Sequence, residues 1–221
     1  MEFREIVCRR AALELKDGEY VNLGFGVPTG VPNYLPAGVE VILQSENGCL
    51  LFGPTPALGE QDADVGNAGG QPITMMPGAS IFDSGVSFTI IRGGHVDATF
   101  LGALEVDQEA NIANWALPLA PDRYSPGPGG AMDLVTGARK VVAMLQHNDK
   151  KGNSKVKKLC TLPLTGAGVL DVIITDKAVF EFIDGKMVLT EVMAGLTVDD
   201  IGRMTEAEFT VSPDLGEFRL G

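Results

Sequence analysis

A chain of 221 residues, of which 45% are apolar and 21% charged, has the composition of a folded globular protein, and we predict one domain over residues 1–221. The net charge of −12 would repel the phosphate backbone of a nucleic acid, which excludes nucleic acid as the expected partner. Apolar runs stay below the roughly 20 residues that span a membrane, and the N-terminal segment lacks the apolar stretch of a signal peptide. We therefore expect a cytoplasmic protein without a membrane partner.

Side chains that usually carry metal or nucleophilic chemistry are scarce. The three cysteines, Cys8, Cys49 and Cys160, form no Cys-x-x-Cys pair, which argues against a disulfide framework and a structural zinc site. The two histidines, His95 and His147, are too few for a histidine-rich metal centre and give a Ser-His-Asp triad little choice of base. We expect no metal, and any catalysis must use different groups.

The first elements of the chain lead up to a carboxylate. Apolar residues at helical spacing predict an amphipathic helix over residues 3–16. A short strand, a Gly-x-Gly-x-Pro loop and a further helix are predicted within residues 19–35. Residues 38–44 are nearly all apolar and β-branched, as expected of a strand buried on both faces, and this strand runs directly into Ser45-Glu46-Asn47-Gly48.

The remainder of the chain alternates between strands and helices. Residues 53–80 are rich in glycine and proline and are predicted to be loop. The elements predicted after them are a helix at 87–94, a strand at 95–107, a flexible corner at 121–130, a helix at 131–138, strands at 139–145 and 169–175, a hairpin at 178–192 turning at Asp184-Gly185, and a helix that begins with a capping box at Thr197 and Asp200.

This alternation predicts an α/β fold, an open and largely parallel sheet with flanking helices. Ligand sites in such sheets lie beyond the carboxyl ends of the strands, and Glu46 is at such an end.

Glu46 is the first candidate for chemistry. A glutamate at the end of a strand is most often structural, capping a neighbouring loop. Here Asn47-Gly48 forces a tight turn and removes side-chain bulk, so that the carboxylate can face a cavity. A carboxylate nucleophile needs that exposure because its own oxygen must attack an acyl carbonyl.

Two further clusters are candidates for ligand contacts. Gly129-Gly130-Ala131 opens a predicted helix and could offer unencumbered N–H groups to an oxyanion, although an ordinary loop-to-helix corner explains the same residues. The basic cluster KKGNSKVKK at residues 150–158 is explained most simply by a solvated turn, and docking of a phosphate-rich cofactor tail is the alternative. Gly93-Gly94-His95 is explained by a helix C-cap, so His95 receives no catalytic role.

Short motifs occur in order along almost the whole chain: NLGFGVPT, LQSENG, GPTP, NAGGQP, PGASIFDS, SFTIIRGGHVDATFLGALEVD, NIANW, GGAMDLVTGARKVV, CTLPLTG and ITDKAVFEF. Together they resemble the β subunit of the class I (family I) coenzyme A transferases, and most closely the acetate/acetoacetate and butyrate–acetoacetate members of the 3-oxoacid CoA-transferases. Each motif alone is weak, but SENG followed by RGGHVD and then GGAMDL is highly specific.

The resemblance implies that Glu46 is the nucleophile, which accepts an acyl group from acyl-CoA as an anhydride and then carries CoA as a glutamyl thioester. It implies that Gly130 and Ala131 contact the thioester oxyanion and that Asn47 and Gly48 support the active-site turn. CoA would be substrate and carrier, with no tightly bound cofactor.

The same resemblance implies the partners and the fold. The acid substrate would be acetate, acetoacetate, butyrate or succinate, and the protein partner a CoA-transferase α subunit in an α2β2 heterotetramer. The implied fold is the open α/β sheet shared with the sugar-phosphate isomerase-like superfamily.

Two departures from the family pattern occur, and the first of them leaves the substrate open. Residues 116–128 form a longer segment than relatives of this type usually have, and Gly70 stands where a relative has lysine. Because residues 116–128 lead into the Gly129-Gly130 corner, a 3-oxoadipate CoA-transferase β subunit is an alternative. An acyl-CoA hydrolase and a non-catalytic binding subunit are also compatible with the fold, although the intact SENG and GGA motifs argue against the latter.

Overall fold

The computed structural model describes residues 1–121 and 123–220. The helices are α1 (Phe3–Ala12), α2 (Ser84–Arg92), α3 (Ala131–Gly137) and α4 (Val198–Met204), and a 3-10 helix spans Val27–Tyr34. The strands are β1 (Tyr20–Leu23), β2 (Ile42–Ser45), β3 (Cys49–Phe52), β4 (Met75–Ile81), β5 (Ala98–Gly102), β6 (Glu105–Asp107), β7 (Ile112–Ala113), β8 (Ala116–Ala120), β9 (Arg123–Pro126), β10 (Val141–Met144), β11 (Val156–Lys157), β12 (Val172–Ile174), β13 (Ala178–Ile183), β14 (Lys186–Val192) and β15 (Thr210–Glu217).

One large mixed sheet organises the chain, with the strand order β15-β14-β13-β12-β10-β5-β1-β2-β3-β4. Its five central strands, from β12 to β2, run parallel to one another. Parallel strands are covered on both faces, and every residue of β10 is accordingly apolar and buried. The predicted α/β fold, an open and largely parallel sheet with flanking helices, is confirmed.

Hydrophobic cores lie on both faces of this sheet. Successive residues of a strand point to opposite faces, so that Phe100 of β5 packs with the core under α1 while its neighbour Leu101 packs with the core under α2, α3 and α4. Phe100 and Phe180 are fully buried, one in each core. Burial of one such side chain contributes about 1.5–3 kcal/mol, so the sheet is held rigidly between the two helical layers.

Local signals in the sequence locate several elements correctly. The hairpin between β13 and β14 turns at Asp184-Gly185, where both residues have positive φ (51° and 73°), as an Asp-Gly turn requires. Helix α4 begins with the predicted capping box, in which Thr197 and Asp200 bond to each other's backbone N–H. Helix α1 ends at Ala12 rather than at residue 16, because the next N–H groups bond to carbonyls three residues back and tighten the last turn.

Several segments differ from the sequence predictions. The single strand predicted at 95–107 is two strands, because β6 leaves the main sheet and pairs with β7 and β11. The predicted loop at 53–80 contains β4, which pairs with β3 at the edge of the main sheet. The flexible corner predicted at 121–130 contains β9, which pairs with β8; residue 122 of that corner lies outside the described residues.

Two further differences lie towards the ends of the chain. The helix predicted after the Gly-x-Gly-x-Pro loop is a 3-10 helix, since Pro32 removes an N–H from its interior. Strand β15 has no counterpart among the predicted elements, because it is an edge strand that exposes most of its residues and has no apolar pattern.

Candidate active site

Glu46 lies in the tight turn between β2 and β3, at the carboxyl end of a central strand. Ser45 and Cys49 pair across the hairpin, which leaves only Glu46, Asn47 and Gly48 in the loop. Gly48 has a φ of 123°, and a Cβ at this position would lie 2.0 Å from the carbonyl oxygen of Phe82. Glycine is therefore required there, and its small size lets the turn pack against the segment that precedes α2.

Neighbouring backbone holds this turn in place. The Ser45 hydroxyl accepts a hydrogen bond from the Ala68 N–H (2.9 Å), and the Asn47 amide donates to the Gly66 carbonyl (2.8 Å). The side chain of Asn67 accepts bonds from two backbone N–H groups of the same loop. The loop at residues 66–71 thus braces the turn from one side. Asn47, predicted to support the active-site turn, bonds to this loop, as does Ser45.

The predicted oxyanion corner meets Glu46 in space. Gly130 lies 84 positions further along the chain, and its N–H donates a hydrogen bond to Glu46 Oε1 (3.3 Å). A Cβ at Gly130 would lie 3.1 Å from the Glu46 carboxyl carbon, so the backbone approaches the carboxylate closely. Ala131 lines the same cleft, but its own N–H is donated to the Pro128 carbonyl (3.0 Å). Of the two N–H groups, that of Gly130 is the one directed at the carboxylate.

Glu46 opens onto a large cleft with a volume of about 1330 Å³. Much of its lining is apolar, and the Phe25 side chain, 72% exposed, lies beside Gly69 at its wall. Among the described residues that line the cleft, the charged side chains are Glu2, Arg4, Glu5, Glu40 and Glu46. The cleft therefore combines an apolar wall with an excess of negative charge.

A row of buried polar side chains lies behind the turn. The Asn22 amide donates to Gln44 Oε1 (2.7 Å), and the Gln44 amide donates to Ser87 Oγ (2.9 Å); all three side chains are buried. Because Gln44 is two residues before Glu46, these bonds fix the last buried residues of β2 relative to β1 and α2. This row was not predicted from the sequence. The polar residue inside each of the short, otherwise apolar strands β1 and β2 could have indicated it.

The basic cluster lies outside the lining of the cleft. Lys157 and Lys158 pair with Glu206 (2.8 Å) and Glu208 (2.6 Å). Lys155 donates to the carbonyl of Ala103, and burial lowers the pKa of its ammonium group. The geometry of these three lysines is that of structural ion pairs and a backbone contact.

Neither histidine contacts Glu46. His95 lies beside a separate cavity lined by Tyr20 and Arg139. His147 is fully buried between the hydroxyls of Thr175 and Thr205, and burial lowers its pKa to about 4. Within residues 1–121 and 123–220, histidine, cysteine and acidic side chains form no cluster of three that could hold a metal ion.

Comparison with known proteins identifies the family. A profile of the family described as coenzyme A transferase matches residues 4–203. The chain is 50% identical over 219 residues to the beta subunit of the acetate CoA-transferase of Escherichia coli strain K12, with 99% of both chains covered. It is 51% identical over 211 residues to the corresponding subunit of a probable succinyl-CoA:3-ketoacid coenzyme A transferase of Bacillus subtilis strain 168, with 96% of both covered.

The chain belongs to the coenzyme A transferase family. The family predicted from the motifs is confirmed, and so is the assignment to CoA-transferring enzymes.

The fold of this coenzyme A transferase chain also occurs in solved structures. An acyl-CoA transferase from Escherichia coli O157:H7 superimposes with a TM-score of 0.77 over 99% of this chain, which corresponds to 43% of that longer chain. The sequence identity is 22%, so the likeness concerns the fold alone. In the part of the chain that the structure describes, the helices are too short or too polar to cross a membrane.

Proposed function

We propose that this chain is the β subunit of a coenzyme A transferase, with Glu46 as the nucleophile that moves CoA between an acyl-CoA and a carboxylic acid. The observation that carries the proposal is the position of the Glu46 carboxylate. It lies in a rigid turn at the carboxyl end of β2, opens onto the cleft and is bound at Oε1 by the Gly130 N–H. A carboxylate held in this way can attack with its free oxygen.

The reaction proceeds through two covalent intermediates. A Glu46 oxygen attacks the acyl carbonyl of the donor, the carbon–sulfur bond breaks and the CoA thiolate leaves, which gives a mixed anhydride. The thiolate then attacks the Glu46 carbonyl carbon, and the carbon–oxygen bond to the acyl group breaks. The bond that breaks joins the Glu46 carbonyl carbon to the bridging oxygen, so the first acid leaves as its carboxylate with that oxygen, and a glutamyl-CoA thioester remains. The acceptor carboxylate reverses both steps, so each step exchanges one anion for another without net proton transfer.

Gly130 supports the steps that occur at the Glu46 carbonyl. When the thiolate attacks this carbon, negative charge develops on the oxygen that was Oε1, and the Gly130 N–H is directed at that oxygen. Such a donor stabilises a tetrahedral oxyanion in a site from which water is excluded. We assign Ala131 to the cleft wall next to this donor, and Asn47 and Gly48 to the support of the turn.

The substrates follow from the relatives. The names of the two similar proteins include acetate, succinyl-CoA and a 3-ketoacid. For this chain we propose a short-chain acid such as acetate, acetoacetate, butyrate or succinate, with CoA as the carrier and no tightly bound cofactor.

A partner α subunit completes the proposal, in an α2β2 assembly. Similar proteins are named as subunits, and the acyl-CoA transferase of the same fold is more than twice as long as this chain. The side chains of Leu117, Leu119 and Tyr124 in the β8–β9 hairpin are exposed, which is typical of an interaction surface. Because the charged side chains that line the cleft of this chain are predominantly acidic, the cations that bind the anionic substrates are expected from the partner.

The test compares two carboxylates of the same cleft. Glu46→Gln and Glu40→Gln are each co-expressed with the α subunit, and acceptor-dependent CoA transfer from acetoacetyl-CoA to acetate is measured. Glu46→Gln is expected to lower the rate by at least about 10³-fold because the nucleophile is lost. Glu40 is exposed and precedes β2, whereas Glu46 follows the carboxyl end of that strand, so the Glu40 variant should retain normal turnover.

Normal turnover by Glu46→Gln would refute the proposal. Release of free CoA without an acceptor acid would identify a hydrolase, and binding of acyl-CoA without either reaction would identify a binding subunit.

A further inference from the structure

Helices α2 and α3 pack against each other, with a glycine at each end of α3 next to α2. At one end, a Cβ on Gly137 would lie 2.4 Å from the carbonyl oxygen of Ile91 in α2. At the other end, a Cβ on Gly130 would lie 3.1 Å from Cζ of Phe88. A side chain at position 137 would push the two helices apart, and one at position 130 would displace the Phe88 ring.

The side chain of Arg92 joins the same two helices. Its guanidinium lies over the ring of Phe88, 5.5 Å from the ring centroid, which is within the range of a cation–π contact. Its Nε donates to Oδ1 of Asp133 in the first turn of α3 (2.7 Å). Arg92 therefore holds the Phe88 ring and the beginning of α3 together.

Both contacts converge on the position of the Gly130 backbone. The point that a Gly130 Cβ would occupy is 3.1 Å from Phe88 Cζ and 3.1 Å from the carboxyl carbon of Glu46. The tip of the Phe88 ring and the carboxylate that the Gly130 N–H binds thus both lie close to the Cα of Gly130.

We propose that Phe88, Arg92 and Asp133 are positioning residues, which hold the Gly130 N–H at the distance from Glu46 that the transfer reaction requires. The inference rests on the proposed function, since it assigns the three side chains to the oxyanion donor of that mechanism. It extends to residues that neither touch the substrate nor line the cleft.

A small displacement of Gly130 would matter. An oxyanion donor acts at about 2.7–3.1 Å from the oxygen, and the Gly130 N–H is 3.3 Å from Oε1 in the free chain. A donor that retreats further loses its bond to the charge that develops there. A misplacement of about 1 Å lowers a rate by up to about 10²-fold, whereas binding of the acyl-CoA elsewhere in the cleft is left intact.

The chain offers a closely matched control. Arg92–Asp133 and Arg139–Asp97 are both arginine–aspartate pairs at 2.7 Å, and their arginine side chains are 66% and 65% exposed. The second pair joins the start of β10 to the start of β5, at the edge of the sheet opposite the carboxyl ends. Substitution of Arg139 removes an exposed ion pair and the bond from its Nε to the Gly94 carbonyl (3.0 Å), and substitution of Arg92 removes an exposed ion pair and the contact with Phe88. The two variants should therefore lose similar, small amounts of stability.

The experiment measures Arg92→Gln and Arg139→Gln in the complex with the α subunit. For Arg92→Gln we expect about a tenfold fall in kcat and in the single-turnover rate of glutamyl thioester formation, with KM for acyl-CoA within about twofold. Arg139→Gln should retain both rates within about twofold. Arg92→Lys, which keeps the charge but loses the planar contact with Phe88, should give an intermediate rate.

Equal rates for Arg92→Gln and Arg139→Gln would overturn the inference, as would a rise in KM at unchanged kcat. Hydrogen exchange of the amides at residues 129–134 provides a readout that does not depend on activity. Faster exchange in Arg92→Gln alone supports the positioning role even if wild-type chain fails to transfer CoA. Equal exchange in both variants and wild-type chain contradicts it.

Discussion

Gly48→Ala tests whether the fold holds the catalytic turn through one close backbone contact. The new Cβ would lie 2.0 Å from the Phe82 carbonyl oxygen, so the two backbones must separate by roughly 1 Å or more. That movement disrupts the bond from the Phe82 N–H to the Gly48 carbonyl (2.9 Å), a loss of about 0.5–1.5 kcal/mol. The positive φ of Gly48 adds about 1–3 kcal/mol of strain for any other residue.

The expected loss in the free energy of unfolding is therefore about 2–4 kcal/mol, a large part of the about 5–15 kcal/mol of a typical domain. Gly38→Ala is the control, because Gly38 also has positive φ (82°) but has no atom within 4 Å of its Cβ position. It should lose only about 1–2 kcal/mol, the cost of left-handed backbone.

Urea unfolding followed by the fluorescence of Trp115, the single tryptophan, measures both variants. We also expect Gly48→Ala to lose CoA transfer activity in the complex, since the turn that carries Glu46 must move, whereas Gly38→Ala should remain active. Equal losses of stability in the two variants would refute the reasoning, because they would show that Phe82 is no barrier to a side chain at position 48.

Three further substitutions test different parts of the structure. Burial lowers the pKa of His147 from 6.5 to about 4, so the unfolded chain binds this proton first as the pH falls. The contribution of His147 to the free energy of unfolding, on the order of 3 kcal/mol, is therefore complete above about pH 6.5 and is lost as the pH falls to about 4. In urea unfolding, His147→Gln should flatten the fall in unfolding free energy between these pH values. An unchanged dependence on pH would contradict the prediction. Arg10 is 1% exposed and pairs with Glu191 at 2.7 Å. Glu191→Gln should therefore lower the unfolding free energy by about 3 kcal/mol. A change near zero would contradict this and would mean that the remaining partners of Arg10 are enough to stabilise its buried charge. Ser45→Ala leaves the Ala68 N–H without its acceptor, which should lower the melting temperature and the transfer rate together; unchanged values of both would show that this bond does not brace the turn.

Short-range signals made much of the fold predictable. The Asp184-Gly185 turn and the capping box at Thr197 each depend on residues adjacent in the chain, and both occur in the structure. The strand predicted at 38–44 is shorter than expected, since β2 spans only Ile42–Ser45 and the residues before it are exposed or half-buried. Strands β4 and β15 escaped prediction because both are edge strands that contain proline and expose most of their residues. Their pairing depends on distant neighbours rather than on local pattern.

In the candidate site, too, features that depend on adjacent residues were predictable, whereas contacts between distant residues were not. A carboxylate in a tight turn that faces a cavity was predicted from Glu46 and its two neighbours, and the half-buried Glu46 side chain lines the cleft. The meeting of Glu46 with Gly130, 84 residues away, came from the family resemblance, since no periodicity relates the two positions. The contacts of Phe88 and Arg92 with the beginning of α3 could not be predicted from the sequence, because an aromatic residue in a helix usually indicates only core packing.

The central claim is that Glu46 carries CoA covalently, and peptide mass spectrometry tests it most directly. The chain, co-expressed with the α subunit, is incubated with acetoacetyl-CoA, treated with borohydride and digested. Borohydride reduces a glutamyl thioester to an alcohol, so the account predicts a change confined to the peptide that contains Glu46. An unmodified Glu46 peptide from a complex that demonstrably binds CoA would contradict the account.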